Sequence, residues 1–212
     1  MQLHHIAGEI SMATIDWALD WKFKKCIEGI EGDAINVDLP YDAMFYEKRT
    51  YATPNGDKTG YYPGGAYVYE KDFELAKENE NCHIALEFDG VYGRCSVYVN
   101  GILVGCHEYG YTPFMVDLSG NCHEGNNTVR VEVDNTLVPN SRWYSGSGIY
   151  REVKLIKAEG MPISDVRITT KSIRPAVVEV LCNYENAKVE IFDRNNHLVA
   201  YVFLSANTRT EY

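Results

Sequence analysis

The feature that most constrains this chain is a repeated alternation of apolar and polar side chains from about Cys82 onward. His83 to Asp89, Cys95 to Val99, Val129 to Val133 and Glu152 to Ile156 all carry it. A period of two places successive side chains on opposite faces, so each run needs one buried and one wet face, as a half-buried strand provides. Between Cys95–Val99 and Ile102–Val104 sits Asn100-Gly101. Both residues tolerate positive φ, so the sequence predicts strand, two-residue turn and strand in direct succession. Helical periodicity is nearly absent. The best run, Trp17 to Ile30, is short and interrupted, and its aromatics fit a strand equally well. The chain therefore reads as all-β. Gly-rich turns such as Pro63-Gly64-Gly65 and Gly146-Ser147-Gly148 between short, closely spaced strands point to two packed antiparallel sheets.

A breaker pair interrupts the pattern near Ala158 to Pro162, and the alternation then restarts. Ile163 to Thr170, Ala176 to Cys182, Lys188 to Asp193 and Leu198 to Phe203 read as four strands, with Arg194 to His197 as one turn. These last residues, about fifty, amount to about half a normal β-sandwich domain. The expectation is one domain over 1–158 and an incomplete second one over 159–212, the chain stopping inside it with an unpaired edge.

Composition narrows the partners. A formal charge of -10 argues against nucleic acid, whose phosphates require clustered Lys and Arg. Sixteen tyrosines against 7 phenylalanines suit a carbohydrate surface, because Tyr offers a flat apolar face with a polar tip. No stretch approaches the roughly 20 apolar residues that span a bilayer, and Met1 to Glu9 lacks a basic region followed by an apolar run, so no membrane partner and a cytoplasmic address are expected. In that compartment Cys26, Cys82, Cys95, Cys106, Cys122 and Cys182, which form no CxxC pair, read as reduced thiols, and the Asn126-Asn127-Thr128 sequon has no meaning. Cys82-His83, Cys106-His107 and Cys122-His123 offer zinc-type side chains. Adjacent side chains on a strand point to opposite faces, however, so no metal is expected from them. Gly146-Ser147-Gly148 lacks the spacing of a nucleophile elbow and reads as a turn.

Three blocks, in order, carry a family resemblance. The first is Asn36-Val37-Asp38-Leu39-Pro40-Tyr41-Asp42 followed by Gly64-Gly65-Ala66-Tyr67-Val68-Tyr69-Glu70-Lys71-Asp72-Phe73. The second is Leu86-Glu87-Phe88-Asp89-Gly90-Val91-Tyr92, with Val97-Tyr98-Val99-Asn100-Gly101 and Gly110-Tyr111-Thr112-Pro113-Phe114. The third is Ser141-Arg142-Trp143-Tyr144-Ser145-Gly146-Ser147-Gly148-Ile149-Tyr150-Arg151. Together they resemble the N-terminal portion of glycoside hydrolase family 2, which holds many β-galactosidases, β-glucuronidases and β-mannosidases. The third block is most similar to the β-galactosidase branch. Tyr41 stands where a histidine is common, and the tryptophan that often follows Asp42 is absent. Within the family β-glucuronidase is the nearest competitor, since a loop that reads a carboxylate would lie on the barrel, and β-mannosidase is the further alternative.

The resemblance implies a jelly-roll (galactose-binding-like) β-sandwich followed by a partial immunoglobulin-like β-sandwich. It implies a retaining glycosidase whose two catalytic glutamates lie on a later barrel, so no catalytic residue is assigned in this chain and none of its own activity is expected. The partners it implies are a β-galactoside or related glycan, the protein's own barrel and a second copy in a homo-oligomer. No cofactor is implied for this chain. Magnesium or sodium is implied for the full enzyme, held mainly by the barrel. Substrate contacts carry over to the loop Asn140, Ser141, Arg142, Trp143 and Tyr144. There Arg142 would donate bidentate hydrogen bonds and Trp143 would stack on a sugar, or both would only pin the loop to the sheet. Asp42 and Asn55 are further substrate candidates, against a plain turn-shaping role. The alternative from another class is a free-standing carbohydrate-binding module on the same fold.

Overall fold

The computed structural model describes residues 2–5, 12–79, 81–138, 146–160, 166–182 and 187–203. Along the chain the strands are β1 (Gln2–His5), β2 (Met12–Asp16), β3 (Trp21–Ile27), β4 (Ile30–Glu31), β5 (Ile35–Val37), β6 (Ala66–Leu75), β7 (His83–Phe88), β8 (Val91–Tyr92) and β9 (Arg94–Val99). They continue as β10 (Ile102–His107), β11 (Phe114–Asp117), β12 (Gly125–Asp134), β13 (Gly148–Ile149), β14 (Val153–Ala158), β15 (Arg167–Ile173), β16 (Ala176–Leu181), β17 (Ala187–Phe192) and β18 (Leu198–Phe203). Among the described residues the only helical pieces are 3-10 turns at Ala43–Tyr46, Gly56–Thr59 and Lys77–Asn79. The protein is all-β, and it divides into two compact units, Ala13–Lys157 and the remainder.

The larger unit is a jelly-roll sandwich. One sheet runs β10-β9-β12-β6-β3-β4, with β5 also on β3, and the facing sheet runs β11-β7-β14-β2. β12 pairs with β6 along its whole length, from Gly125 opposite Leu75 to Asp134 opposite Ala66, and with β9 from Val129 opposite Val99 onward. The alternation seen in the sequence sets this register. Val129, Val131 and Val133 of β12 and Val97 and Val99 of β9 meet Ile84, Leu86, Phe88, Val116 and Val153 of the other sheet in one core. Each such side chain contributes about 1.5–3 kcal/mol on burial, and a one-residue slip would expose them all. The ambiguous Trp17–Ile30 run resolves as a strand. Trp21 and Phe23 of β3 face inward, and Trp17 packs edge-to-face on Trp21 at 5.3 Å and on Phe73 at 5.4 Å.

The outward face of the first sheet carries a charge ladder. Lys24 bonds Glu31 at 2.9 Å and Glu70 at 2.6 Å, while Arg130 bonds Glu70 at 2.7 Å, Glu132 at 2.8 Å and also Glu31. The Asn100-Gly101 hairpin forms with φ of 50° and 80°, the left-handed pair its sequence requires. Asn100 Nδ2 donates to Asn121 O and to Asn127 Oδ1, each at 2.8 Å. The buried Asn127 amide in turn donates to His123 O and Gly125 O, which ties the turn to the next loop.

The smaller unit is the immunoglobulin-like part. It holds a three-stranded sheet, β1-β17-β18, and the hairpin β15-β16. Ala176–Leu181, Ala187–Phe192 and Leu198–Phe203 fall within a residue or so of the strands the sequence predicts. The first runs Arg167–Ile173 rather than Ile163–Thr170, whose opening residues, 163–165, lie outside the described residues. The N-terminal β1 belongs here through its antiparallel pairing with β17. Val180, Ala187 and Val189 form a small core with Val178, Cys182 and Val202 around it.

Candidate functional site

Asn140, Ser141, Arg142, Trp143 and Tyr144 lie outside the described residues, but both roots of their loop are described, and they are clamped together. At the first root, Asn135 follows β12 and is buried. Its amide Nδ2 donates to Ser147 Oγ at 2.7 Å and to Gly146 O at 3.1 Å, and its backbone N–H donates to Gly65 O at 2.8 Å. At the second root, Ser147 N–H donates to Asp42 Oδ1 at 2.9 Å. The same oxygen accepts Met44 N–H at 3.0 Å and caps the Ala43–Tyr46 turn. Backbone bonds complete the seam, Ala43 N–H to Ser147 O and Tyr41 N–H to Ile149 O, each at 2.8 Å. Asp42 Oδ1 thus accepts from two backbone donors, its near neighbour Met44 and Ser147, which lies 105 residues further along the chain than Asp42.

Glycines make this close approach possible. A β-carbon on Gly64 would lie 2.0 Å from Asn135 O, and one on Gly146 would lie 2.7 Å from Asp42 Oδ2. At Gly148, φ is +95° and a β-carbon would lie 1.9 Å from Tyr69 Oη, so only glycine fits. Tyr69 donates that hydroxyl to Tyr41 O at 2.9 Å, and burial lifts the phenol well above its ordinary pKa. Its neighbour Tyr67 is equally buried beside Gly65, and its hydroxyl has no hydrogen-bond partner among the described residues.

Asn55 stands in a different loop. It is buried at the head of the Gly56–Thr59 turn, and its carbonyl accepts Lys58 N–H at 3.1 Å. That loop leaves from the Ala43–Tyr46 turn and returns through Gly64 and Gly65, so both of its ends also meet the clamp. The structure therefore brings the roots of the two candidate loops to one rigid base. Asn135 and Ser147 are the base residues that the sequence reading did not single out. Ser147 read as turn chemistry, and Asn135 carried no signal beyond its place after an alternating strand.

The base residues bond backbone groups and one another. A retaining glycosidase needs an ionised nucleophile and a carboxyl kept protonated as acid, about 5 Å apart. Glu31 and Glu70, which share Lys24 and Arg130, are the wrong kind of pair. Arg130 and then Lys24 pull Glu31 down to about 2. Burial pushes Glu70 up, but the same two cations outweigh it and hold the group below its usual value. Among the described residues no three His, Cys, Asp or Glu side chains converge as ligands, so these residues offer no such donor set for the magnesium or sodium of the resemblance. No disulfide joins the six cysteines; burial pushes Cys95 up to about 12 and Cys122 to about 11. Among the described residues no helix is long and apolar enough to cross a membrane.

Comparison with known proteins agrees with this architecture. The family profile described as "Glycosyl hydrolases family 2, sugar binding domain" matches residues 28–159. The β-galactosidase BoGH2A of Bacteroides ovatus is 36% identical over 169 residues, covering 74% of this chain and 20% of its own length. A β-glucuronidase of Streptococcus agalactiae is 27% identical over 168 residues, 64% of this chain and 28% of the relative. Among solved structures, a glycosyl hydrolase family 2 member from Bacteroides cellulosilyticus superposes with a TM-score of 0.70 at 26% identity, over 94% of this chain and 30% of the other. The chain thus spans less than a third of the length of these relatives.

Proposed function

Because the chain belongs to glycoside hydrolase family 2, we propose that it is the sugar-binding front end of a retaining β-glycosidase that hydrolyses terminal β-galactosides, with the catalytic carboxylates on a barrel beyond it. The observation that carries this reading is the clamp. Asp42, Asn135, Ser147 and their glycines draw the first and third family blocks into one base from which the loop bearing Arg142 and Trp143 and the loop bearing Asn55 both spring. A base fixed by backbone and buried side chains orients such loops at little entropic cost when sugar binds. In this reading Arg142 donates to sugar hydroxyls or to a barrel carboxylate, and Trp143 and Tyr144 lie against the sugar. Asn140, Ser141 and Asn55 add polar contacts, and Asp42 holds the loop root beside them. The likeness to BoGH2A supports the galactoside, and cysteines outside any disulfide suit a cytoplasmic location. The likeness to the Streptococcus agalactiae enzyme favours a second reading, β-glucuronide. A free-standing carbohydrate-binding module and a homo-oligomeric parent enzyme belong to the same proposal as alternatives to be tested.

The experiment is turnover of nitrophenyl β-galactoside, β-glucuronide and β-mannoside by the chain joined to its barrel, beside Arg142→Ala and beside the 212-residue chain alone. The expected result is preference for the galactoside, a loss of about a hundred-fold in kcat/KM in the variant, and no turnover by the chain alone. Preference for the glucuronide overturns the substrate, and an unchanged variant reduces this domain to a scaffold.

A further inference from the structure

The Ala43–Tyr46 turn presents two rings to solvent directly beside the clamp, Phe45 at 75% and Tyr46 at 70% exposure. Adjacent on one short turn, the two rings form a small exposed aromatic patch. Tyr46 is also held. Its ring stacks on Tyr41 at 4.6 Å with an interplanar angle of 7°, and Tyr41 rests on the buried Phe23 at 4.8 Å. Three rings therefore run from the core to the surface, with one face of the outermost already covered and its orientation set. Asp42 caps this turn with the same oxygen that fixes Ser147, so the rings and the root of the Arg142 loop share one rigid mount.

We infer that Tyr46, with Phe45, is an aglycone platform: the ring that follows the terminal sugar, whether an aryl group or a second pyranose, stacks on the free face of Tyr46. The inference rests on the glycoside-binding reading above and adds to it a substrate class, glycosides whose aglycone is flat or ring-shaped. Carbohydrate rings present one apolar C–H face, and a tyrosine ring matches it while its hydroxyl stays wet. A ring fixed before binding loses little rotamer freedom when it stacks, which is what makes such a contact selective.

The test is a titration of the 15N-labelled 212-residue chain with methyl and nitrophenyl β-galactoside and with the matching glucuronides, repeated on Tyr46→Ala and Tyr46→Phe. Nitrophenyl glycosides are expected to shift the amides of Phe45 and Tyr46 and to bind about five-fold more tightly than the methyl glycosides. Tyr46→Ala abolishes that difference, and Tyr46→Phe keeps it. No shift at Phe45 or Tyr46 with any nitrophenyl glycoside, or equal weakening of both aglycones by Tyr46→Ala, overturns the platform. Shifts at Tyr46 that favour the glucuronide over the galactoside support the platform and overturn only the galactoside. In the chain joined to its barrel, a fall in melting temperature for Tyr46→Ala with unchanged aglycone discrimination assigns the rings to the barrel and overturns the inference.

Discussion

Tyr67 and Tyr69 stand two residues apart on the inner face of β6, both with hydroxyls out of water, and they are opposite in what those hydroxyls do. Tyr69 donates to Tyr41 O and thereby holds the strand to the clamp, whereas Tyr67 has no partner among the described residues. A buried hydrogen bond contributes about 1 kcal/mol net, while a buried unpaired hydroxyl carries only its desolvation cost. Tyr69→Phe is therefore expected to lower stability by about 1–2 kcal/mol, since Tyr41 O is also left unpaired. Tyr67→Phe should leave stability unchanged or raise it by up to about 1 kcal/mol. Urea unfolding of the two variants checks this, and an equal loss in both contradicts it. Nothing in the sequence separates these tyrosines, which share a residue type, a face and a motif. The difference arises only when Ser147, Gly148 and Tyr41 converge, a tertiary event between residues about a hundred apart. For the same reason Asp42 was legible as a candidate and not as the cap that joins Met44 N–H to Ser147 N–H.

At the scale of elements the sequence was most legible where one physical rule acted alone. Period two located β7, β9, β12 and β14, and the Asn-Gly pair located the β9-β10 turn with its positive φ values. β3 was ambiguous because Trp21 and Phe23 alternate with lysines while Trp17 and Trp21 stand four apart, a spacing that a helix also tolerates, and its pairing with β6 decided the matter. The outward residues of those strands form the charge ladder, which no local rule announces, and it carries a pH dependence. Arg130, with Lys24, pulls Glu31 down to about 2 from an ordinary 4.5. A depressed carboxylate stabilises the fold fully above its unfolded value and loses that contribution as pH falls towards the folded one. Thermal stability is thus expected to drop between about pH 5 and pH 2, and Glu31→Gln should remove part of that slope while costing about 0.5–1 kcal/mol at pH 7, an amount kept small by solvent screening. Melting curves from pH 7 to pH 2 decide it; a variant with the parent slope means the ladder contributes nothing.

On the scale of the whole molecule the two units differ in how much each buries. The larger one closes a core that includes Trp21, Tyr67, Tyr69, Leu86 and Phe88 between sheets of seven and four strands. In the smaller one the described core is Val180, Ala187 and Val189, an apolar gap opens between Val178, Val189 and Ala200, and Ile173, Leu198, Val199 and Phe203 remain exposed. Cooperative stability grows with the apolar area a unit removes from water, so the two are not expected to melt together. The smaller unit should open first, and its amides in β15 to β18 should exchange faster than those of β6 and β12 by about two orders of magnitude or more, the gap set by its lower opening free energy. Deleting residues 159–212 should then remove the early transition and leave the main one within about 3 °C, because the sandwich core draws its side chains from 17 to 153. Calorimetry with native-state hydrogen exchange reads both. A single transition shared by all strands, or loss of the main transition on deletion, would mean that the sandwich depends on the strands after residue 158, and the clamped base would then be stable only as part of a larger folded body.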